Sequence, residues 1–223
     1  MRKAYYNPRR NPAIALLLLA VYALASRPLA GRQQSALGTP ALESHEGLTI
    51  SALPWTNAAL YKEKFPKKSP FSAGVLALQV VLRNDSDESM RVNLERIRLT
   101  VQLDAENRQE VQPLTPDQLA DTVLKPAAKD PTKKRQKLPI PIGSSNAGRD
   151  KHWTELQRQA QDAGVPSSVI AAHSSVEGLL YFDVQNQFDL LQTAHLYIPE
   201  VTQMQQNHAL TYFDVDLSRR DQR

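Results

Sequence analysis

Two neighbouring stretches, GVLALQVVLRN (74–84) and RIRLTVQLD (96–104), do most to limit what this chain can become. In the second, Ile97, Leu99, Val101 and Leu103 alternate with Arg96, Arg98, Thr100, Gln102 and Asp104. A period of two sends successive side chains to opposite faces, so the segment predicts a strand with one buried and one solvated face. In the first, Leu76, Leu78, Val80 and Leu82 share one face. Val75, Ala77 and Val81 share the other, interrupted by Gln79. Two apolar faces predict a central strand. The intervening NDSDES (84–89) has the chemistry of a polar turn, and Met90, Val92 and Leu94 restore the alternation. Parity then switches between Leu94 and Ile97. A slip of one residue would turn the wrong face inward, so a turn or bulge is required near Glu95 and Arg96.

The rest of the chain is read in the same way. Leu48, Ile50 and Ala52 predict a short strand ending at Pro54. Residues 55–73, with Pro66, Pro70 and a lysine-rich patch, read as a loop, and a weaker strand follows near 108–112. Thr115, Pro116 and Gln118 have the spacing of a capping box with proline in the first turn, opening a helix with Leu119, Val123 and Leu124 on one face. A second helix is expected at 151–163, capped by Asp150, with Trp153, Leu156 and Ala160 on one side and Gly164 as its stop. A further helical turn is expected at 166–172. Strand patterning resumes at Val176 with GLLYFDV, AHLYI and ALTYFDVDL.

That makes six to eight strands at hairpin-scale spacing, which predicts an antiparallel β-sandwich rather than a parallel α/β sheet. The run GVLALQVVLRNDSDESMRVNLERIRLTV looks like two or three sequential sandwich strands joined by an Asn/Asp turn. On these residues the chain resembles the immunoglobulin-like β-sandwiches of exported bacterial proteins, over 46–113 and 176–217. The resemblance implies a mainly β fold, which the helical and basic, proline-rich residues between interrupt with a short helical and disordered insertion, 114–175. It implies no catalytic residues, and the Cys…Trp…Cys signature of antibody domains is absent.

The N-terminus predicts where the protein goes. Arg2, Lys3, Arg9 and Arg10 precede the apolar run Ala13 to Ala25, and Ala23-Leu24-Ala25 supplies small residues before Ser26. This is the order of a secretory signal peptide, 1–25. The run is 13 residues, short of the roughly 20 of a membrane-spanning helix, so an uncleaved anchor is the alternative. The product would be periplasmic or secreted. A flexible leader, 26–45, then enters the sandwich domain, 46–217, and 218–223 form a tail. The whole chain has 27 Lys and Arg against 23 Asp and Glu, but four of the basic residues lie in the first 25. Cleavage leaves 23 against 23, a neutral product, which argues against nucleic acid as partner. The chain has no cysteine, so an exported product must be held by its core alone.

Candidate chemistry is sparse. The tetrapeptide YFDV occurs twice, at 181–184 and 212–215. Parity puts Leu180, Phe182 and Val184 inward in the first copy, and Thr211, Phe213, Val215 and Leu217 in the second. Tyr181, Asp183, Tyr212 and Asp214 then belong to outer, polar faces. NDSDES departs from the calcium-loop pattern, although Asn84-Asp85-Ser86 fits a glycosylation acceptor. The five histidines show no metal-binding spacing, and no nucleophile elbow, P-loop or dinucleotide fingerprint occurs. No cofactor or metal is expected. Residues 125–149 carry seven basic residues and one acid, with four prolines, and predict a disordered basic linker. Lys133, Lys134, Arg135 and Lys137 are its candidate contacts for a partner or polyanion, including anionic lipid head groups. The expected function is a non-catalytic binding or assembly module of the bacterial cell envelope, with another envelope protein or a glycan as partner. The alternative is a glycan-active or other hydrolase using edge-of-sandwich carboxylates such as Asp183, Asp214 and Glu177.

Overall fold

A computed structural model describes residues 39–103, 106–124 and 146–218, all within one unit spanning Gly38–Arg223. The signal-peptide segment, the early leader and the four basic candidates of the linker lie outside the described residues. The fold is mainly β: among the described residues twelve strands form three four-stranded sheets, antiparallel throughout. The first sheet has the order β1 (Ala41–His45), β2 (Leu48–Trp55), β3 (Val75–Asn84), β8 (Ser174–Asp183). The second runs β11 (His208–Ala209), β10 (Val201–Gln203), β4 (Met90–Val92), β7 (Val169–Ile170). The third runs β12 (Phe213–Asp216), β9 (Ala194–Ile198), β5 (Arg98–Gln102), β6 (Arg108–Val111). Three helices accompany them: α1 (Ala58–Lys64), α2 (Pro116–Leu124) and α3 (Asn146–Ala163). No helix among the described residues is long and apolar enough to cross a membrane.

β3 is central, as its two apolar faces require, with β2 on one side and β8 on the other. Leu76, Leu78, Val80 and Leu82 point into one apolar cluster with Ile50 and Phe182 of the same sheet, Met90, Val92 and Val201 of the second, and Leu99, Val101, Leu196, Phe213 and Val215 of the third. Their burial supplies the dominant stabilisation, about 1.5–3 kcal/mol per large apolar side chain. The opposite face of the first sheet is buried too. Val75, Ala77, Leu179 and Tyr181 are buried there: the Tyr61 hydroxyl bonds the backbone of Val75 and Ala77, the Phe65 ring meets that of Tyr181, and the Tyr181 hydroxyl reaches Ala160. The first sheet is therefore the middle of three layers.

Several expectations need correction. Residues 41–45, read as the end of a flexible leader, form β1, because their backbone pairs with Leu48 to Ala52. Part of the 55–73 loop is α1, whose first turn is capped by the Asn57 side chain accepting from Ala59 N–H at 2.9 Å. Pro54 does not end β2; it sits beyond the last β1 pair at Ala52, where β2 is itself an edge and tolerates a missing N–H. The NDSDES turn carries the chain from one sheet to another, since β3 and β4 belong to different sheets. α3 begins at Asn146 rather than after Asp150, and 166–172 contains β7 instead of a helical turn. The parity switch is made by a short 3-10 turn at Leu94–Arg96.

The glycosylation reading fails physically. Asn84 is fully buried, and its amide donates to the carbonyls of Glu88, Ile170 and Ala171 at 2.7, 3.3 and 3.1 Å. Its Oδ1 accepts from Ser86 N–H and O–H. It ties the end of β3 to the loop that carries β7.

Candidate functional site

The helical layer is fastened to β8 by a few specific contacts. Thr115 N–H donates to Gln118 Oε1 at 2.9 Å and Gln118 N–H to Thr115 Oγ1 at 3.3 Å, the reciprocal box expected from the sequence. Leu114 N–H donates to the Tyr181 carbonyl at 2.7 Å, fixing the approach to α2 against β8. Trp153 Nε1 donates to Asp121 at 2.9 Å and joins α3 to α2. The Tyr181 hydroxyl donates to the Ala160 carbonyl at 3.1 Å, and burial pushes its phenol pKa well up. Where α3 ends, the backbone lies directly on β8: a Cβ at Gly178 would stand 2.5 Å from the Gly164 backbone. Only glycine permits that approach.

Between these contacts lies a recess of about 370 Å³ at the edge of β8. Its buried base is Leu179, Leu180 and Tyr181, and its half-buried walls include Leu94, Pro113, Leu114 and Val165. The rim is exposed and polar: Gln112, Gln118 and Gln161 present amides, and Glu95 is its one carboxylate. Such a recess can hold an apolar group and satisfy donors and acceptors at its mouth. A second recess of about 340 Å³ shares Gly164 and Leu179 with it. There Trp55 Nε1 donates to Gln79 Oε1 at 3.1 Å, and Gln79 Nε2 donates to Glu177. Lys64 and Asp162 complete its charged lining.

The acids named for a hydrolase are not brought together. Glu177 and Asp183 are six residues apart on β8, roughly 20 Å along a strand. Asp214 lies on another sheet. Asp183 accepts from Gln185 N–H, and Asp214 Oδ1 stands 3.3 Å from His195 Nδ1. The two Tyr-Asp pairs therefore do not share a patch. The inward parity of Phe182, Val184, Phe213 and Val215 is observed, while Thr211 is exposed. The outer face of the first copy is a correction: Tyr181 is buried because helices cover it, whereas Tyr212 is 53% exposed.

The β1–β12 seam was not anticipated. The Glu43 carboxylate accepts from Asp214 N–H, and Glu46 accepts from Thr211 N–H and Oγ1, both at 2.9 Å. Those bonds hold the Glu46 pKa below the usual carboxylate range. The His45 ring stacks on Phe213 with centroids 3.8 Å apart. Beyond it, Tyr212 and Tyr197 meet at 5.5 Å and the Arg108 guanidinium lies 5.9 Å from the Tyr197 ring centre. Among the described residues no three His, Asp or Glu side chains are grouped so as to hold a metal ion. Sequence reasoning missed the recess because its residues come from four distant segments. One local signal was present: LLYF at 179–182 is apolar at four successive positions, the mark of a strand covered on both faces.

No protein-family model and no curated protein matches the chain. Among solved structures it is similar to a functionally unknown protein from Listeria monocytogenes EGD-e, at 16% identity and a TM-score of 0.33 over 72% of this chain and 71% of that one. A likeness of that size carries no argument about fold or function.

Proposed function

We propose that the chain is an exported, non-catalytic binding module of a bacterial envelope, and that it seats part of its partner in the recess between α2, α3 and β8. The observation that carries the reading is the lining: apolar base and walls, with three glutamine amides at the mouth. The separation of Glu177, Asp183 and Asp214 weighs against the hydrolase alternative, whose only support was their convergence. In finer architecture we propose an immunoglobulin-like sandwich elaborated by the helical layer; the single core shared by the three sheets supports it. The partner is another envelope protein or a glycan, with the basic segment around Lys133, Lys134, Arg135 and Lys137 as a second contact for anionic lipid.

A photo-crosslinking residue at Gln118 tests the recess in living cells. A defined adduct is expected, absent when Q161W blocks the exposed rim and absent from the same crosslinker at Lys68. Equal adducts at Gln118 and Lys68 would refute the reading. Export is tested separately by N-terminal sequencing of the mature product, expected to begin at Ser26 in the periplasm or medium. A product that retains residues 13–25 would be the anchored form instead.

A further inference from the structure

β6 is the outer strand of its sheet, and Arg108, Gln109 and Glu110 are exposed along it. It pairs with β5 from Leu99↔Val111 to Gln102↔Arg108, and Leu103 N–H donates to the Asn107 carbonyl at 2.9 Å. In an antiparallel ladder the hydrogen-bonded positions alternate. Residues 107, 109 and 111 therefore turn their backbone groups toward β5, and Arg108 and Glu110 turn theirs outward. Among the described residues nothing bonds these outward groups, two N–H and two C=O. Such an edge is a template for another strand.

We propose that β6 pairs with β6 of a second copy, antiparallel about a two-fold axis at Gln109. Hydrogen-bonding parity and charge together select this register. An outward-turned residue must oppose an outward-turned residue, so the axis can pass through residue 108, 109 or 110 but not between them. An axis at 108 sets Arg108 against its own copy, and an axis at 110 does the same to Glu110. Like charges directly opposite are unfavourable. The axis at Gln109 sets Arg108 against Glu110 of the second copy, twice over, and satisfies all four outward groups of each strand. The contact is isologous and closed. It joins two four-stranded sheets into one of eight. Arg108 and Glu110 lie on the face that carries Tyr197, so the side chains of Tyr212, Tyr197 and Arg108 continue across the axis. With so few residues in contact the dimer is weak, with Kd on the order of 100 µM. This inference does not rest on the recess and stands or falls separately from it.

The absence of cysteine makes the test direct. In the proposed register Gln109 faces itself at a non-hydrogen-bonded position, about 4.5 Å between Cα atoms, within disulfide range. Purified Q109C is expected to form a disulfide dimer at least tenfold faster than K68C, roughly the advantage of a preformed contact at these concentrations. Adding R108E or E110R sets like charges opposite each other and slows the reaction about tenfold. Adding both restores it to within about threefold, which loss of the Arg108–Tyr197 contact alone would not allow. Sedimentation equilibrium of the unsubstituted chain gives the same order of affinities without any thiol. Crosslinking of Q109C at the K68C rate, no rescue by the double reversal, or a monomer persisting to millimolar concentration each overturns the proposal.

Discussion

Replacing Asn84 tests how the sheets are locked together. The side chain is fully buried and makes five hydrogen bonds, three of them from Nδ2 to the carbonyls of Glu88, Ile170 and Ala171. N84A removes a two-proton donor and the Oδ1 acceptor; the Glu88 and Ala171 carbonyls keep the Ser86 and Ser174 hydroxyls as donors. At about 1 kcal/mol per net bond for the two amide protons and the Oδ1 acceptor, the loss is about 3 kcal/mol. N84D is nearly isosteric yet costs more at neutral pH, because it aims a carboxylate at three carbonyl oxygens. Burial of that carboxyl raises its folded pKa above the unfolded value. Its penalty is full at high pH and fades as the pH falls through the folded and then the unfolded pKa. Urea denaturation of the three proteins at pH 7 and pH 5 reads both effects. N84A within 0.5 kcal/mol of the parent, a figure of about the size of a neutral surface substitution, would refute the structural role. So would N84D more stable than N84A at pH 7.

Other consequences are narrower. Gly178→Ala pushes a methyl group into the Gly164 backbone, and a loss of about 1–3 kcal/mol should appear as a lower Tm, with protease sensitivity gained at the end of α3. Thr115→Ala breaks the box at the start of α2 and should cost about 1 kcal/mol, with faster amide exchange at Gln118. Glu46 has a lowered folded pKa through its bonds to Thr211, so its contribution is present above the unfolded carboxylate pKa and disappears as the pH falls through the folded value. The Tm of E46Q should therefore decline less steeply than that of the parent between pH 5 and pH 3, about the range of carboxylate titration.

The most legible parts of the fold were those where one strand's own side chains state its environment. β3 reads as central because both of its faces are apolar, and β5 reads as half-buried because its residues alternate. The 3-10 turn at Leu94–Arg96 was required by parity alone. Thr115 and Gln118 announce a helix start because capping is a contact between residues three apart. The recess was not legible. Leu94, Gln112, Val165 and Leu179 belong to segments that meet only when α2 and α3 fold down on β8.

The repeated YFDV divides the two kinds of information. Alternation along the chain is a local property, and it places Phe182 and Phe213 inward in both copies. What covers the opposite face is not local. In the first copy it is α3, which buries Tyr181 and takes its hydroxyl at Ala160. In the second it is solvent over Tyr212, with Glu43 arriving from β1 to bond the Asp214 N–H. One tetrapeptide thus has one parity and two environments. A strand's sequence sets which side chains share a face, but the layer laid over that face comes from elsewhere in the chain.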